Sequence, residues 1–429
     1  MLWGLSRARH GRHLLRPRDF LHGVADPPSA RSVVGPVQRS NTEVLGALAI
    51  AVSALALSIA KPWEGVAAYL SAADTPAAPH ASPTVETVAV PQQAPVIEVV
   101  FVLDTTGSMS GLLEGAKKKI WSIANTIASG QPRPELRVGL VAYRDLGDTY
   151  VTSKTAMTGD LDEVYAGLLQ LQASGGGDFP EHVNEGLRVA LREMQWSEDP
   201  QVMKMVYLVG DAPAHDDYDP QLTSATMAKE AHARGIALNA VQCGENHQTS
   251  RAFKELAQVG HGEYLQIAAD GGVSLVATPF DEDLATLNRQ LADLSLGYGS
   301  AEQKSRAAKK RHRRKAMRSG VAADAASVGA KTGKMYDEDL VTAIRKGKVS
   351  LEELSAPELP SSFAGMSKKE QAAALTRNME EREALAEEIE ALSAKRDAFL
   401  DETSEGKDGF DAKVNESLRN RAADFGISY

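Results

Sequence analysis

Three short stretches in the first half of the chain carry the oxygen donors with which chemistry could be done. Asp104-Thr-Thr-Gly-Ser-Met-Ser110 supplies a carboxylate at 104 and hydroxyls at 106 and 108. Ser174-Gly-Gly-Gly-Asp178-Phe-Pro-Glu181 is a flexible acidic loop, and Val206-Tyr-Leu-Val-Gly-Asp211 puts an acid directly after an apolar run. Carboxylates, hydroxyls and water are the hard ligands that suit Mg²⁺ or Mn²⁺. Taken alone, the first stretch reads equally well as a helix cap, its oxygens satisfying the free N–H groups of a first turn. The other two stretches decide for a metal, because ligand sites in an open parallel sheet collect at the carboxyl ends of strands where strand order reverses.

Such a sheet is what the flanking pattern predicts. Val99–Leu103, Leu136–Tyr143, Met203–Val209 and Ile236–Cys243 are short apolar runs that read as buried strands, with a last strand at Glu263–Ile267. Between them, Gly111–Ser129 places Leu113, Ile120, Ile123 and Ile127 on one helical face. Leu161–Leu171, His182–Met194 and Phe253–Val259 also read as helices, and Leu284, Leu287, Leu291 and Leu294 give a closing one. Strands alternating with helices predict an α/β, Rossmann-like, doubly wound and mostly parallel sheet over residues 96–297, with helices on both faces.

On these motifs the stretch 96–297, about 200 of the 429 residues, resembles the von Willebrand factor type A domain, and its GGGDFPE and GDAPAH wording is similar to a bacterial subset of that family. FVLDTTGSMSG resembles the family's metal-ion-dependent adhesion motif Asp-x-Ser-x-Ser, with Thr106 keeping the hydroxyl of the first Ser. The family's later strand-end Asp corresponds to Asp211. Its middle-loop Thr has no clear equivalent; counting back from Glu185-Gly186 gives Glu181 as the best match and Asp178 as the other candidate. The resemblance implies that Asp104, Thr106, Ser108, Asp211 and one of those two acids hold a single Mg²⁺ or Mn²⁺, directly or through water. It further implies that a carboxylate of a protein partner completes the shell and that no catalysis takes place. An acid in place of the Thr would hold the ion more tightly and leave it less electrophilic.

Catalytic alternatives are incomplete. A strand-end Asp is also the nucleophile of haloacid-dehalogenase-type phosphatases, but the general acid needed two positions on is here Thr106. The Gly107–Gly111 frame of a nucleophile elbow is centred on Met109, and Gly329-Ala-Lys-Thr-Gly-Lys334 is one residue short of a phosphate loop. No HExxH occurs. Around the site, His215 with Asp216, Asp217 and Asp219 reads as a solvated acidic loop at the rim, and Arg144 with Asp145 as a structural pair.

Composition bounds the rest. Hydrophobic residues at 43% and charged residues at 24% describe a globular chain, and 429 residues are enough for two or three units. The lone Cys243 excludes an intrachain disulfide and any multi-cysteine metal site, and reads as a small buried apolar residue. A net charge of -10 and only 5% aromatics argue against specific nucleic-acid binding.

The flanks suggest where the domain sits. Residues 1–43 form a leader with seven arginines, no lysine and three acids; residues 44–60 carry no charge and predict a transmembrane signal anchor, with Ser58 and Ala60 as a weak cleavage site for the alternative of a secreted or periplasmic chain. Either way the bulk of the protein is expected outside the cytoplasm, on a cell membrane crossed once. Residues 61–95 read as a Pro/Ala-rich linker. Residues 298–335 read as a basic flexible linker, whose run 302–318 holds nine Lys or Arg against one Glu and could meet an anionic polymer or lipid. Residues 336–429 read as a helical C-terminal region. Its seam of Leu385, Ile389, Leu392 and Phe399 would allow self-association.

Overall fold

The computed structural model describes residues 94–272, 276–333, 339–403 and 409–429. The expected leader, membrane segment 44–60 and nearly all of the 61–95 linker lie outside them. Among the described residues no helix is long and apolar enough to cross a membrane.

Six strands form one sheet: β1 (Val96–Asp104), β2 (Glu135–Tyr143), β3 (Thr152–Thr158), β4 (Met203–Gly210), β5 (Ile236–Cys243) and β6 (His261–Ile267), in the order β3-β2-β1-β4-β5-β6. All neighbours pair in parallel except β3, which lies antiparallel on β2 at the edge. Pleating sends alternate residues to opposite faces. Val99, Phe101 and Leu103 of β1 therefore join one core, and Val100 and Val102 the other. The order of the strands reverses between β1 and β4, and their register aligns Leu103 with Val209 and Asp104 with Tyr143 of β2. Three carboxyl ends thus open onto one crevice.

On the second face lie α3 (Val183–Arg192), α4 (Ser224–Ala233) and α5 (His247–Val259), contributing Leu187, Met227 and Phe253 to its core. The first face is covered by α1 (Ser110–Ala128) and α2 (Leu161–Gln170), through Leu113, Ile120, Val164 and Leu168. The α/β prediction and the placement of its strands hold. The edge strand β3, with the polar sequence TSKTAMT, was not foreseen.

Beyond β6 the chain differs from expectation. The predicted flexible linker 298–335 contains two helices, α7 (Ala301–Lys315) and α8 (Ser319–Thr332). Helix α8 is built of small residues that let neighbours approach closely. Val321, Ala322, Ala325 and Val328 face α1, while Ala323 and Ala326 meet Leu284, Leu287 and Leu291 of α6 (Asp281–Asp293) and Ile389 of α10 (Lys368–Glu402). A short helix, α9 (Leu340–Arg345), packs Leu340 and Val341 in a separate cluster with Leu296, Leu359 and Phe363.

The basic run is partly spent on internal pairing: buried Arg314 donates to both Asp162 oxygens at 2.8 and 2.9 Å, and Lys310 reaches Asp160 at 2.8 Å. The seam of α10 is covered within the chain, with Leu385, Ile389 and Leu392 in the α6–α8 cluster and Phe399 edge-on to Phe280.

The last helix, α11 (Phe410–Ala422), returns to the sheet. Phe410 lies 6.1 Å from Phe101, centroid to centroid; the Tyr207 hydroxyl donates to the Val414 carbonyl, and Gln131 and Ser428 exchange backbone hydrogen bonds at 2.8 and 2.9 Å. The helix completing the first face is therefore α11, not the Leu284–Leu294 helix. The expected boundary at 297 does not separate a closed sheet domain from an independent tail.

Candidate functional site

Asp104 ends β1 and is fully buried. The chain then turns through a single 3-10 turn, Gly107–Met109, into α1. This turn folds Thr106 back: its N–H and its hydroxyl both donate to Asp104 Oδ1, at 2.8 and 2.7 Å. Ser108 Oγ lies 3.3 Å from Thr106 Oγ1 on the solvent side. Asp104 Oδ2 is buried with no hydrogen-bond partner.

The glycine loop closes over this turn. Ser174 N–H donates to the Thr105 carbonyl and Gly107 N–H to the Gly175 carbonyl, while Asp148 Oδ2 accepts from Gly176 N–H at 3.0 Å. Gly176 has φ of +80°, and a Cβ there would stand 3.1 Å from Glu181 Oε1 and 3.2 Å from Thr106 Cβ. Only glycine lets the loop pass between these groups. Glu181 is itself fixed by backbone bonds across to the loop after β4, its N–H to the Pro213 carbonyl and its carbonyl from His215 N–H, both 3.0 Å. Its Oε2 is likewise buried and without a partner. Asp211 follows β4 directly and is half-buried, its carbonyl held by the Thr249 hydroxyl at 2.8 Å.

The electrostatics follow from this crowding. Burial raises the Asp104 pKa to about 7; the Thr106 hydrogen bonds and Arg144 oppose the rise, and the Asp211 charge adds to it. Burial also raises Glu181, to about 8, helped by Asp104, Asp145, Asp148 and Asp211. Two carboxyls with a free oxygen each, held close to a third acid and two hydroxyls, form a donor set that fits a hard divalent cation.

Of the six residues predicted for the metal, the structure brings Asp104, Thr106, Ser108 and Glu181 together. Asp211 joins them through its charge. Asp178 stands apart, at the rim, its side chain 68% exposed and its Oδ2 3.8 Å from His215 Nε2. The loop around His215 keeps Asp216, Asp217 and Asp219 exposed, as expected, but His215 itself is 8% exposed and stacks on Tyr218 at 4.0 Å. Nor do Arg144 and Asp145 pair. The Arg144 guanidinium binds the carbonyls of Thr105 and Gln172 and lies over Tyr150, and Asp145 accepts the Tyr218 hydroxyl at 2.9 and 3.0 Å. Asp148 and Tyr218 were not anticipated, because each acts through a loop-to-loop contact that leaves no local pattern. Cys243 is buried, as expected, and burial pushes its thiol pKa up.

A sheet with its order reversing beside Asp104 and three loops converging there define a class, and sequence comparison agrees with it: residues 98–279 match the family model of the von Willebrand factor A domain. The chain thus contains, at residues 98–279, a stretch that matches a von Willebrand factor A domain. Solved structures similar to it include the conserved hypothetical protein BatB from Bacteroides thetaiotaomicron, at 16% identity and a TM-score of 0.32 over 41% of this chain and 91% of that one. The von Willebrand factor A domain of SpRpn10 aligns at 15% identity and a TM-score of 0.32, over 41% and 89%. Proximal thread matrix protein 1 from the mussel byssus, in a form whose metal-ion-dependent adhesion motif holds zinc, aligns at 16% identity and 0.31, over 41% and 42%. No curated protein sequence matches the chain.

Proposed function

We propose that this protein binds one Mg²⁺ or Mn²⁺ through Asp104, Thr106, Ser108, Asp211 and Glu181, and through it a carboxylate of a protein partner. The observation that carries the reading is the pair of buried, unpartnered oxygens, Asp104 Oδ2 and Glu181 Oε2, in a pocket that already crowds acids. Leaving such atoms unpaired is costly unless a cation meets them. Glu181 serves in preference to Asp178 because it is the buried one of the two, against the Thr106 turn. Bound there, the ion supplies an electrophilic position that a carboxylate oxygen completes. The residues hold and orient it: Thr106 pins one Asp104 oxygen, the glycine loop seats Glu181, and Thr249 anchors Asp211.

The role is adhesion or assembly in the cell envelope, with residues 44–60 as tether and the sheet domain outside the cytoplasm. The proposed role is binding without catalysis; in its support, Thr106, at the general-acid position of a dehalogenase-type phosphatase, gives its hydroxyl hydrogen to Asp104. The test is calorimetric Mg²⁺ titration of the wild type and Asp104→Ala, with circular dichroism to follow the fold. Loss of binding with the fold retained is expected; equal affinity in the two would remove the proposal. Capture of partner proteins with and without chelator then tests the carboxylate bridge.

A further inference from the structure

Beside the acid pocket, the loops after β2 and β4 and the glycine loop build a second group with a different chemistry. Asp145 after β2, Asp178 in the glycine loop and His215 after β4 each offer one ligand atom, and these atoms lie within 4.8 Å of one another. His215 is held from three sides. Its ring stacks on Tyr218 with an interplanar angle of 11°, its Nδ1 meets Asp217 Oδ1 at 2.8 Å, and its backbone N–H donates to the Glu181 carbonyl. Tyr218 in turn holds both oxygens of buried Asp145. What this scaffold leaves over is His215 Nε2, buried, without a hydrogen-bond partner, and aimed at Asp178.

A carboxylate on Nδ1 fixes the tautomer in which Nε2 carries a lone pair, the form in which imidazole ligates metals. A lone pair facing two carboxylates is repulsive unless a proton or a metal cation lies between them. We propose that Asp145, Asp178 and His215 form a second metal site, for Zn²⁺ or a similar borderline divalent ion, distinct from the oxygen-only site at Asp104. One imidazole with two carboxylates selects such ions over Mg²⁺. A tetrahedral shell at about 2.0–2.2 Å puts donors about 3.4 Å apart. The required contraction falls on Asp178, the exposed member, carried by Gly175, Gly176 and Gly177. Three protein ligands leave a position open toward solvent. The Glu181 carboxyl feels the charges of both Asp104 and Asp145.

The experiment is Zn²⁺ titration of the full chain against a chromophoric chelator, in saturating Mg²⁺, with Co²⁺ absorption as the spectroscopic readout. The wild type should bind one Zn²⁺. His215→Gln and Asp145→Asn should each weaken it at least about 10-fold, and Asp217→Asn by about 10- to 100-fold as a second-layer partner. Asp178→Asn, an exposed change that leaves folding undisturbed, should also weaken binding and shift the Co²⁺ bands. Asp104→Ala should keep Zn²⁺ while losing Mg²⁺. Zn²⁺ affinity in His215→Gln and Asp178→Asn within twofold of wild type would overturn the proposal, as would Zn²⁺ binding lost only in Asp104→Ala. If Asp104→Ala instead keeps its Mg²⁺, the adhesion reading fails and this one stands.

Discussion

Two regions of this molecule treat their buried carboxylates in opposite ways. In the helical layer each meets a guanidinium: Asp162 faces Arg314 at 2.8 Å, Asp281 and Asp324 share Arg396 at 2.8 Å, and Asp339 faces Arg382 at 2.9 Å. At the strand ends Asp104 and Glu181 face other acids, and each keeps an oxygen with no partner. Asp162 and Asp104 show the difference in their pKa values, although burial also raises Asp324 in spite of Arg396. Burial acts upward on Asp162, but Arg314 and Lys310 outweigh it and the pKa is lowered, whereas Asp104 is raised to about 7. A fold that pairs its structural acids and leaves these ones open marks where a cation belongs.

The comparison depends first on the helical layer being part of the same body as the sheet. Ending the chain at residue 403 tests this with the largest expected effect. It removes Phe410, Val414, Leu418 and Ile427, all at most 2% exposed, from the sheet's core. At about 1.5–3 kcal/mol for each large apolar side chain, the loss is about 6–12 kcal/mol, comparable to the whole stability of a domain. The shortened chain should lose near-ultraviolet circular dichroism and resist proteolysis poorly. A cooperative melt close to that of the full chain would make 410–429 a dispensable tail.

Next in size is Arg314→Ala. It takes the guanidinium from Asp162, 1% exposed, leaves it only Lys310 at 3.4 Å, and should cost about 3–5 kcal/mol in urea unfolding. By contrast Asp104→Asn, in chelator, should cost nothing and raise stability, since it removes one of a crowd of like charges. Similar losses for both substitutions would erase the distinction between the two regions.

How much of this was legible in the sequence follows from the range of the forces involved. Strands β1, β2, β4 and β5 were readable because burial on both faces demands unbroken apolar runs, and the acids after β1 and β4 followed as strand ends. Strand β3 was not, because an edge strand with one covered side tolerates Thr, Ser and Lys. Helix α8 was misread as flexible since its Ala, Gly and Ser look like a linker, although small size is what a helix packed on several sides needs. The return of α11 to Phe101 spans over 300 residues, and no local pattern announces a contact at that distance. Asp178 and Glu181 could not be separated because three residues of loop have no period. Only the backbone bonds from Glu181 to Pro213 and His215 decide which one faces inward.

The smallest expected effect sharpens the contrast most, because its sign differs between the two regions. Asp104 has a folded pKa of about 7 against an ordinary value of 3.8, so between these values the native state holds more protons than the unfolded one. Stability of the metal-free protein should therefore rise as pH falls from 8 to 6, by about 1 kcal/mol from this group alone, since one proton taken up across its pKa contributes about 1.4 kcal/mol per pH unit at most. Asp162, with its pKa lowered, responds only below the ordinary carboxylate range, and there acid destabilises. His182 works against the gain, since burial lowers its pKa and acid charges the unfolded chain first. The measurement must subtract it. Urea midpoints at pH 6 and pH 8 in chelator, taken for wild type and for Asp104→Asn, share the contributions of His182 and of Glu181, raised to about 8 mainly by burial, and their difference isolates Asp104. Saturating Mg²⁺ should reverse that difference, because the cation holds the wild-type carboxylates ionised, while Asp104→Asn binds no ion and keeps the Glu181 proton uptake. A wild type that responds to pH as the Asp104→Asn variant does, with and without Mg²⁺, would mean that the strand-end acids are as well satisfied as those beside the arginines.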